Sequence, residues 1–193
     1  MIFKYMSSKL PKVIALCGYK RSGKDTIADY IQKYGYKKVS IAEPLKGICK
    51  TLFDLTEEQV DGKEKECVLQ EYGVTPRALM QFFGTEIMQY KMQELCPFIG
   101  RRFWVDRLLK SLNEKQLYVI SDLRFIHEYE SIKKMFGESF IVICVCNKNI
   151  KELDEHVSEQ EWKHIKYNHI MRNDLTLMHL YQQIDDFMKK YTN

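Results

Sequence analysis

The chain has 193 residues, 45% hydrophobic and 29% charged, the composition of one globular domain large enough to bury a sizeable core. Its formal net charge of +4 suits a small anionic ligand and falls far below the dense basic surface that nucleic-acid binding demands. No apolar stretch suggests a membrane span or the core of a signal peptide, so the partners expected are small molecules in a cytoplasmic compartment, with neither nucleic acid nor membrane.

The first expected strand is Val13-Ile14-Ala15-Leu16-Cys17. It runs into Gly18-Tyr19-Lys20-Arg21-Ser22-Gly23-Lys24-Asp25-Thr26, and a helix follows in which Ile27, Tyr30, Ile31 and Tyr34 recur on one face until Gly35 stops it. Strand, G-x-x-x-x-G-K and helix in that order form a phosphate-binding loop. Its glycines let successive backbone N–H groups curl around a phosphate, the helix N-terminus adds positive potential, and Lys24 acts as a point charge on the outer phosphates. Asp25 is the anomaly, because Ser or Thr normally meets magnesium at that position. It reads as a ligand through water, as a partner of Lys20 or Arg21, or as a helix cap, with Thr26 taking the hydroxyl role one position later.

Val39-Ser40-Ile41 reads as a second strand, and Pro44-Leu45-Lys46 opens a helix with proline near its first position. Thr56 and Gln59 have capping-box spacing for a short turn ending by Gly62, and Lys63-Glu64-Lys65-Glu66 reads as solvated surface. Thr75-Pro76 begins a helix running past Tyr90, expected to bury Leu79, Phe82, Phe83, Ile87 and Tyr90 and to leave Arg77, Gln81, Gly84 and Thr85 on a polar face. An arginine in a first turn opposes the helix dipole, so Arg77 points to an anionic partner. The next helix buries Val105, Leu108, Leu109 and Leu112, with Trp104 at the edge of the stripe, where it either stacks on a base or packs in the core.

Leu117 to Ser121 and Phe140 to Cys146 are the strongest remaining strands, with Tyr129, Ile132 and Phe136 marking the helix between them. A weaker strand lies near His169-Ile170-Met171, and the final helix places Leu177, Leu180, Tyr181, Ile184 and Phe187 on one face. Strands alternating with helices call for a parallel sheet covered on both faces, with ligands beyond the carboxyl ends of its strands. Tyr118-Val119-Ile120-Ser121-Asp122 resembles a Walker B strand. Its Asp122 reads as a magnesium holder, as an acceptor for a substrate hydroxyl or base, or as an ion-pair partner of Arg124, and Glu128 lies one helical turn further on. The six cysteines show no C-x-x-C or zinc spacing and read as reduced packing residues, with Cys144 and Cys146 on one face of a strand.

Taken together, Lys20-Arg21-Ser22-Gly23-Lys24-Asp25-Thr26, Arg77-Ala78-Leu79-Met80-Gln81-Phe82-Phe83-Gly84-Thr85-Glu86, Phe103-Trp104-Val105 and Asp122-Leu123-Arg124 resemble the deoxynucleoside monophosphate kinases of large bacteriophages, which have relatives in large DNA viruses. The similarity extends to His156-Val157-Ser158-Glu159 and Asn173-Asp174. The resemblance implies an α/β three-layer P-loop nucleotide-kinase fold with a mainly parallel central sheet, as a single domain over residues 1–193. Its core would span 12–192, with an acceptor-binding helical region about 43–112 and a lid-like segment about 147–167. The implied reaction moves the γ-phosphate of ATP, with Mg2+, onto a deoxynucleoside monophosphate; a homodimer and, for a viral protein, the host cytoplasm are implied as well.

By motif position, Gly18, Arg21, Ser22, Gly23, Lys24, Asp25 and Thr26 would hold the ATP phosphates, with Asp25 and Thr26 nearest the metal. Lys20, Leu45, Lys46, Arg77, Gln81, Gly84, Thr85, Trp104, Asp122, Arg124 and Glu128 would surround the monophosphate, with Lys20, Arg77 and Arg124 on its phosphate and Trp104 by its base. Residues 125–171 contain no arginine, so the charge of the transition state falls to Lys24, Arg21 and Arg124. Another P-loop small-molecule kinase, acting on phosphomevalonate or dephospho-coenzyme A, is the nearest alternative. A nucleic-acid-dependent ATPase fits less well, because Leu123-Arg124 follows Asp122 where a hydrolytic site needs a water-positioning residue.

Overall fold

The computed structural model describes residues 10–150 and 156–192, so the N-terminal tail and the centre of the lid-like segment, 151–155, lie outside the described residues. Five strands, β1 (Val13–Cys17), β2 (Tyr36–Val39), β3 (Leu117–Ile120), β4 (Phe140–Cys146) and β5 (His169–Arg172), form one sheet in the order β2-β3-β1-β4-β5. Every adjacent pair is parallel. Parallel pairing requires a crossover between strands, and helices supply it on both faces.

Alternation along β1 divides the interior into two cores. Ile14 and Leu16 face α1 (Lys24–Ile31) and α8 (Leu177–Thr192), packing with Ile27, Ile31, Leu180 and Ile184. Val13, Ala15 and Cys17 face the opposite layer of α2 (Glu43–Phe53), α6 (Phe103–Ser111) and α7 (Ile126–Phe136), joining Cys49, Val105 and Ile132. All five β1 residues are fully buried, as a continuous apolar run in a central parallel strand requires. Among the described residues no helix is long and apolar enough to cross a membrane.

The expected strand at Val39-Ser40-Ile41 lies earlier, at Tyr36–Val39. The chain leaves the sheet after Val39 because Asp122, just past β3, captures it. The Asp122 carboxylate accepts from Ser40 Oγ (2.7 Å), Ile41 N (2.8 Å) and Ala42 N (2.9 Å), which turns the backbone into α2. Cys17, Cys49 and Cys144 are buried as expected, and Cys144 and Cys146 bring their sulfurs to 3.9 Å on one face of β4, but Cys67 is exposed.

The helix begun at Thr75-Pro76 departs furthest from its periodicity. After α3 (Glu57–Val60), whose capping box joins Thr56 and Gln59, α4 (Pro76–Gln81) widens into a π-helix over Phe82–Lys91 and ends as α5 (Met92–Leu95). Hydrogen bonds from i to i+5 rotate successive side chains away from the positions a 3.6-residue turn would give them. Phe82 and Tyr90, expected inside, are 51% and 42% exposed, while Gly84, Thr85 and Gln89 are buried in their place. Leu79, Phe83 and Ile87 are half-buried. Gly84 is needed there, since a Cβ would come within 2.5 Å of Leu45 Cδ2 on α2. Leu112 and Leu177 also fall outside the buried sets, because α6 ends at Ser111 and Leu177 is the first residue of α8, beyond the covered part of its face.

Asp122→Ala leaves two backbone amides of the β2–α2 turn without their acceptor. The change is expected to lower unfolding free energy by about 2–4 kcal/mol, with Asp122→Asn less severe, as read by urea denaturation.

Candidate active site

The loop between β1 and α1 is held open by backbone conformations that side chains resist. Gly18 and Gly23 sit at φ +135 and +102, and a Cβ on either would fall 2.4 Å from Val145 O or from Asn173 Nδ2. Arg21 adopts φ 63, the left-handed region that non-glycine residues seldom enter outside functional sites. Asn173, just beyond β5, donates from Nδ2 to Ser22 O at 3.0 Å and so ties the loop to the next strand end. Lys24 Nζ donates to the Gly18 and Tyr19 carbonyls at 2.8 and 2.6 Å. Burial, reinforced by the nearby Arg124 charge, lowers its pKa to about 8. The Ser22 hydroxyl is buried, with no hydrogen-bond partner among the described residues. A glycine-shaped cradle, a buried ammonium and an orphaned hydroxyl together fit a phosphate group.

Asp25 forms its ion pair with neither Lys20 nor Arg21. It pairs with Lys38 Nζ at 2.9 Å, a β2 lysine that also holds Asp29 at 3.0 Å. It does not cap α1, whose N-cap is Gly23 without a side-chain bond. Thr26 lies half-buried beside it. Among the described residues no three or more His, Cys, Asp or Glu side chains are grouped to hold a metal.

Beside the loop opens a cavity of about 300 Å³ whose lining contains every residue expected around the acceptor: Lys20, Leu45, Lys46, Arg77, Gln81, Gly84, Thr85, Trp104, Asp122, Arg124 and Glu128. Arg21, Lys24 and Asp25 reach it from the phosphate loop, so the two halves share one wall. Gly18, Ser22, Gly23 and Thr26 remain on the loop side.

Three of these residues also have fixed partners within the fold. Trp104 is 4% exposed, and its Nε1 donates to Gly84 O at 2.9 Å, so its polar edge anchors the π-helix. Asp122 spends its carboxylate on the β2–α2 turn and forms no ion pair with Arg124. Glu128 is 3% exposed, and its Oε2 accepts from the amides of Arg124 (2.9 Å) and Phe125 (3.0 Å), reaching back from the first turn of α7 and fixing the backbone that carries Arg124. Burial pushes the Glu128 carboxyl up to about 8 against the pull of those amides.

The cations have carboxylate partners that periodicity did not single out. Arg77 Nε donates to Glu66 Oε1 at 2.6 Å, and the same oxygen lies 3.9 Å from Lys20 Nζ and 4.0 Å from Arg21 Nη2. Glu159, 3% exposed, accepts from Arg124 Nη1 and lies 3.7 Å from Arg77 Nη1. It belongs to the 3-10 turn Val157–Glu159, followed by a second turn, Glu161–His164, whose Trp162 meets Tyr19 of the phosphate loop edge-on at 4.9 Å. Lys46 pairs with Asp61 at 2.6 Å. The run Lys63–Glu66 is therefore not wholly solvated surface, because Lys65 and Glu66 line the cavity. Burial lowers the Lys65 pKa to about 8, with Arg77 acting in the same direction.

The family model for deoxynucleotide monophosphate kinase matches residues 12–72 and 59–184. The chain belongs to the deoxynucleotide monophosphate kinase family. It is 34% identical over 184 residues to a protein of Acanthamoeba polyphaga mimivirus named "Putative deoxynucleotide monophosphate kinase", covering 89% of this chain and 93% of that one. Among solved structures, dephospho-CoA kinase from Campylobacter jejuni superposes with a TM-score of 0.50 at 13% identity, covering 94% of this chain and 97% of that one. That likeness concerns the fold, which is the P-loop kinase fold. Family and fold together make the chain a phosphotransferase of the nucleotide-kinase type.

In this family member Lys24 and Lys65 both titrate near pH 8 because other cations and burial disfavour their charge. A bound phosphate favours the charged form and raises both values. Nucleotide binding at about pH 8 to 9 is therefore expected to take up protons and to weaken as pH rises through that range. Calorimetric titrations in buffers of different ionisation enthalpy measure this directly, and binding without proton uptake would contradict it.

Proposed function

We propose that the protein transfers the γ-phosphate of ATP to a deoxynucleoside 5′-monophosphate, giving ADP and the diphosphate. The observation that carries this reading is that the phosphate loop and the arginine-lined cavity share Lys24, Arg21 and Asp25 as one wall. A cavity of about 300 Å³ is at the small end of ligand pockets and suits one mononucleotide. Two phosphate-binding regions on either side of one lysine are what an in-line transfer between two nucleotides needs.

In this reading Gly18, Ser22, Gly23 and Lys24 hold the donor's phosphates, and Lys20, Arg77 and Arg124 hold the acceptor's. An acceptor phosphate oxygen attacks the γ-phosphorus while the bond from that phosphorus to the β–γ bridging oxygen breaks, and ADP departs with the electron pair. Arg21 and Arg124, which both line the cavity, would neutralise charge as it spreads over the transferred group. Asp25 and Thr26 stand where Mg2+ accompanying ATP would be held, largely by phosphate oxygens and water. The ion would supply charge neutralisation on the donor's phosphates. Residues of the helical region about 43–112 form most of the acceptor's surroundings, and the segment about 147–167 contributes Glu159 as a lid-like element.

A coupled ADP-release assay across dTMP, dGMP, dCMP, dAMP, AMP and phosphomevalonate tests the reading. Release with at least one deoxynucleotide is expected, and silence with all of them refutes it. Arg124→Ala is expected to lower kcat by roughly 10²–10³-fold while ATP binding stays within a few-fold, since the interaction strengthens in the transition state.

A further inference from the structure

Glu66 and Glu159 enter the same group of cations from opposite sides and differ in one decisive respect. Glu159 has a side chain 4% exposed and holds Arg124 as well as approaching Arg77. Withdrawing it would take from Arg124 the carboxylate that it pairs with, while Arg77 would keep only Glu66 among the described residues, an unfavourable change for partly buried charges. Glu66 has a side chain 33% exposed, at the end of the 3-10 turn Lys63–Glu66, and the chain continues through exposed Cys67 in an extended conformation. It can exchange its cations for water at small cost.

A single oxygen of Glu66, Oε1, is the point on which Lys20, Arg21 and Arg77 converge. Those cations come from the phosphate loop and from the first turn of α4, and two of them, Lys20 and Arg77, are assigned above to the acceptor's phosphate. A phosphate dianion that engages Arg77 through Nε must take that position from a carboxylate carrying less charge and fewer acceptor oxygens.

We propose that Glu66 is an internal competitor for the acceptor-phosphate position, exchanging with the monophosphate, while Glu159 is the fixed carboxylate that keeps Arg77 and Arg124 in place. This rests on the reading of the cavity as the acceptor site. The exchange keeps the cations oriented toward one another, and it sets a threshold that a doubly charged phosphate passes and a neutral nucleoside does not. It also makes the KM for the acceptor higher than the cations alone would give.

The test is Glu66→Gln, which keeps the shape and removes the charge. The expected result is a KM for the monophosphate about 3–10-fold lower, with the KM for ATP and kcat within about twofold, and Glu66→Asp close to wild type. A structural salt bridge would behave oppositely, raising the acceptor KM when lost. Glu159→Gln is expected to raise the acceptor KM and lower kcat together. An acceptor KM unchanged or raised in Glu66→Gln overturns the proposal, and Glu66→Ser reads the same quantity if the glutamine variant folds poorly. Calorimetric binding of inorganic phosphate separates this inference from the assigned reaction. Tighter phosphate binding in Glu66→Gln supports the competition even if no deoxynucleotide is turned over, and unchanged phosphate binding overturns it even if one is.

Discussion

A lysine ammonium and two guanidinium groups, from Lys24, Arg77 and Arg124, meet at the carboxyl ends of a parallel sheet, partly out of water, and the surrounding structure answers the charge they create. Burial penalises the ammonium and the neighbouring Arg124 charge adds to it, which is why Lys24 gives up its proton more readily than usual. The molecule compensates with loop carbonyls on Lys24, with Glu159 between Arg124 and Arg77, and with Glu66 on the outer side of Arg77. Phosphate is the chemistry that completes such a group, because it brings more negative charge and more acceptor oxygens than any one carboxylate.

Two further acidic groups at this end of the sheet are spent on backbone. Asp122 turns the chain from β2 into α2, and Glu128, in the first turn of α7, accepts from the amides of Arg124 and Phe125 just before that helix. These contacts place the cationic side chains without adding a second layer of carboxylates to compete with an incoming phosphate. Trp104 plays the same kind of part on the opposite wall. By holding the Gly84 carbonyl it fixes a widened helical turn, and the close packing of Gly84 on Leu45 brings α2 and the π-helix together across the cavity. Arg77, at the unfavourable end of α4, is offset by two carboxylates supplied from distant parts of the chain.

Much of this was legible in the residues. The loop at 18–26 lies between strand and helix as its spacing demands, β4 has the limits read for it, and the residues attributed to the acceptor all line one cavity. The less legible parts share a cause. The inward face of the helix after Thr75 was misjudged because a regular period was assumed where the turns are wider. Lys65 and Glu66 sit in a run of alternating charges that has no periodic signature, and nothing local distinguishes it from solvated surface. Asp25 found Lys38, thirteen residues away on the neighbouring strand, in place of the loop cations beside it in the chain.

By itself, then, the sequence determined the phosphate loop, the alternation that builds a parallel sheet, and which residue types gather beyond its strands. These follow from short-range rules: glycine tolerance, hydrophobic period and helix-start chemistry act over a few residues. The tertiary structure alone decided which carboxylate meets which cation, and which backbone groups Asp122, Glu128 and Trp104 hold. Those choices depend on burial and on approach between segments up to eighty residues apart, where the cost of an unpaired charge or amide selects the partner.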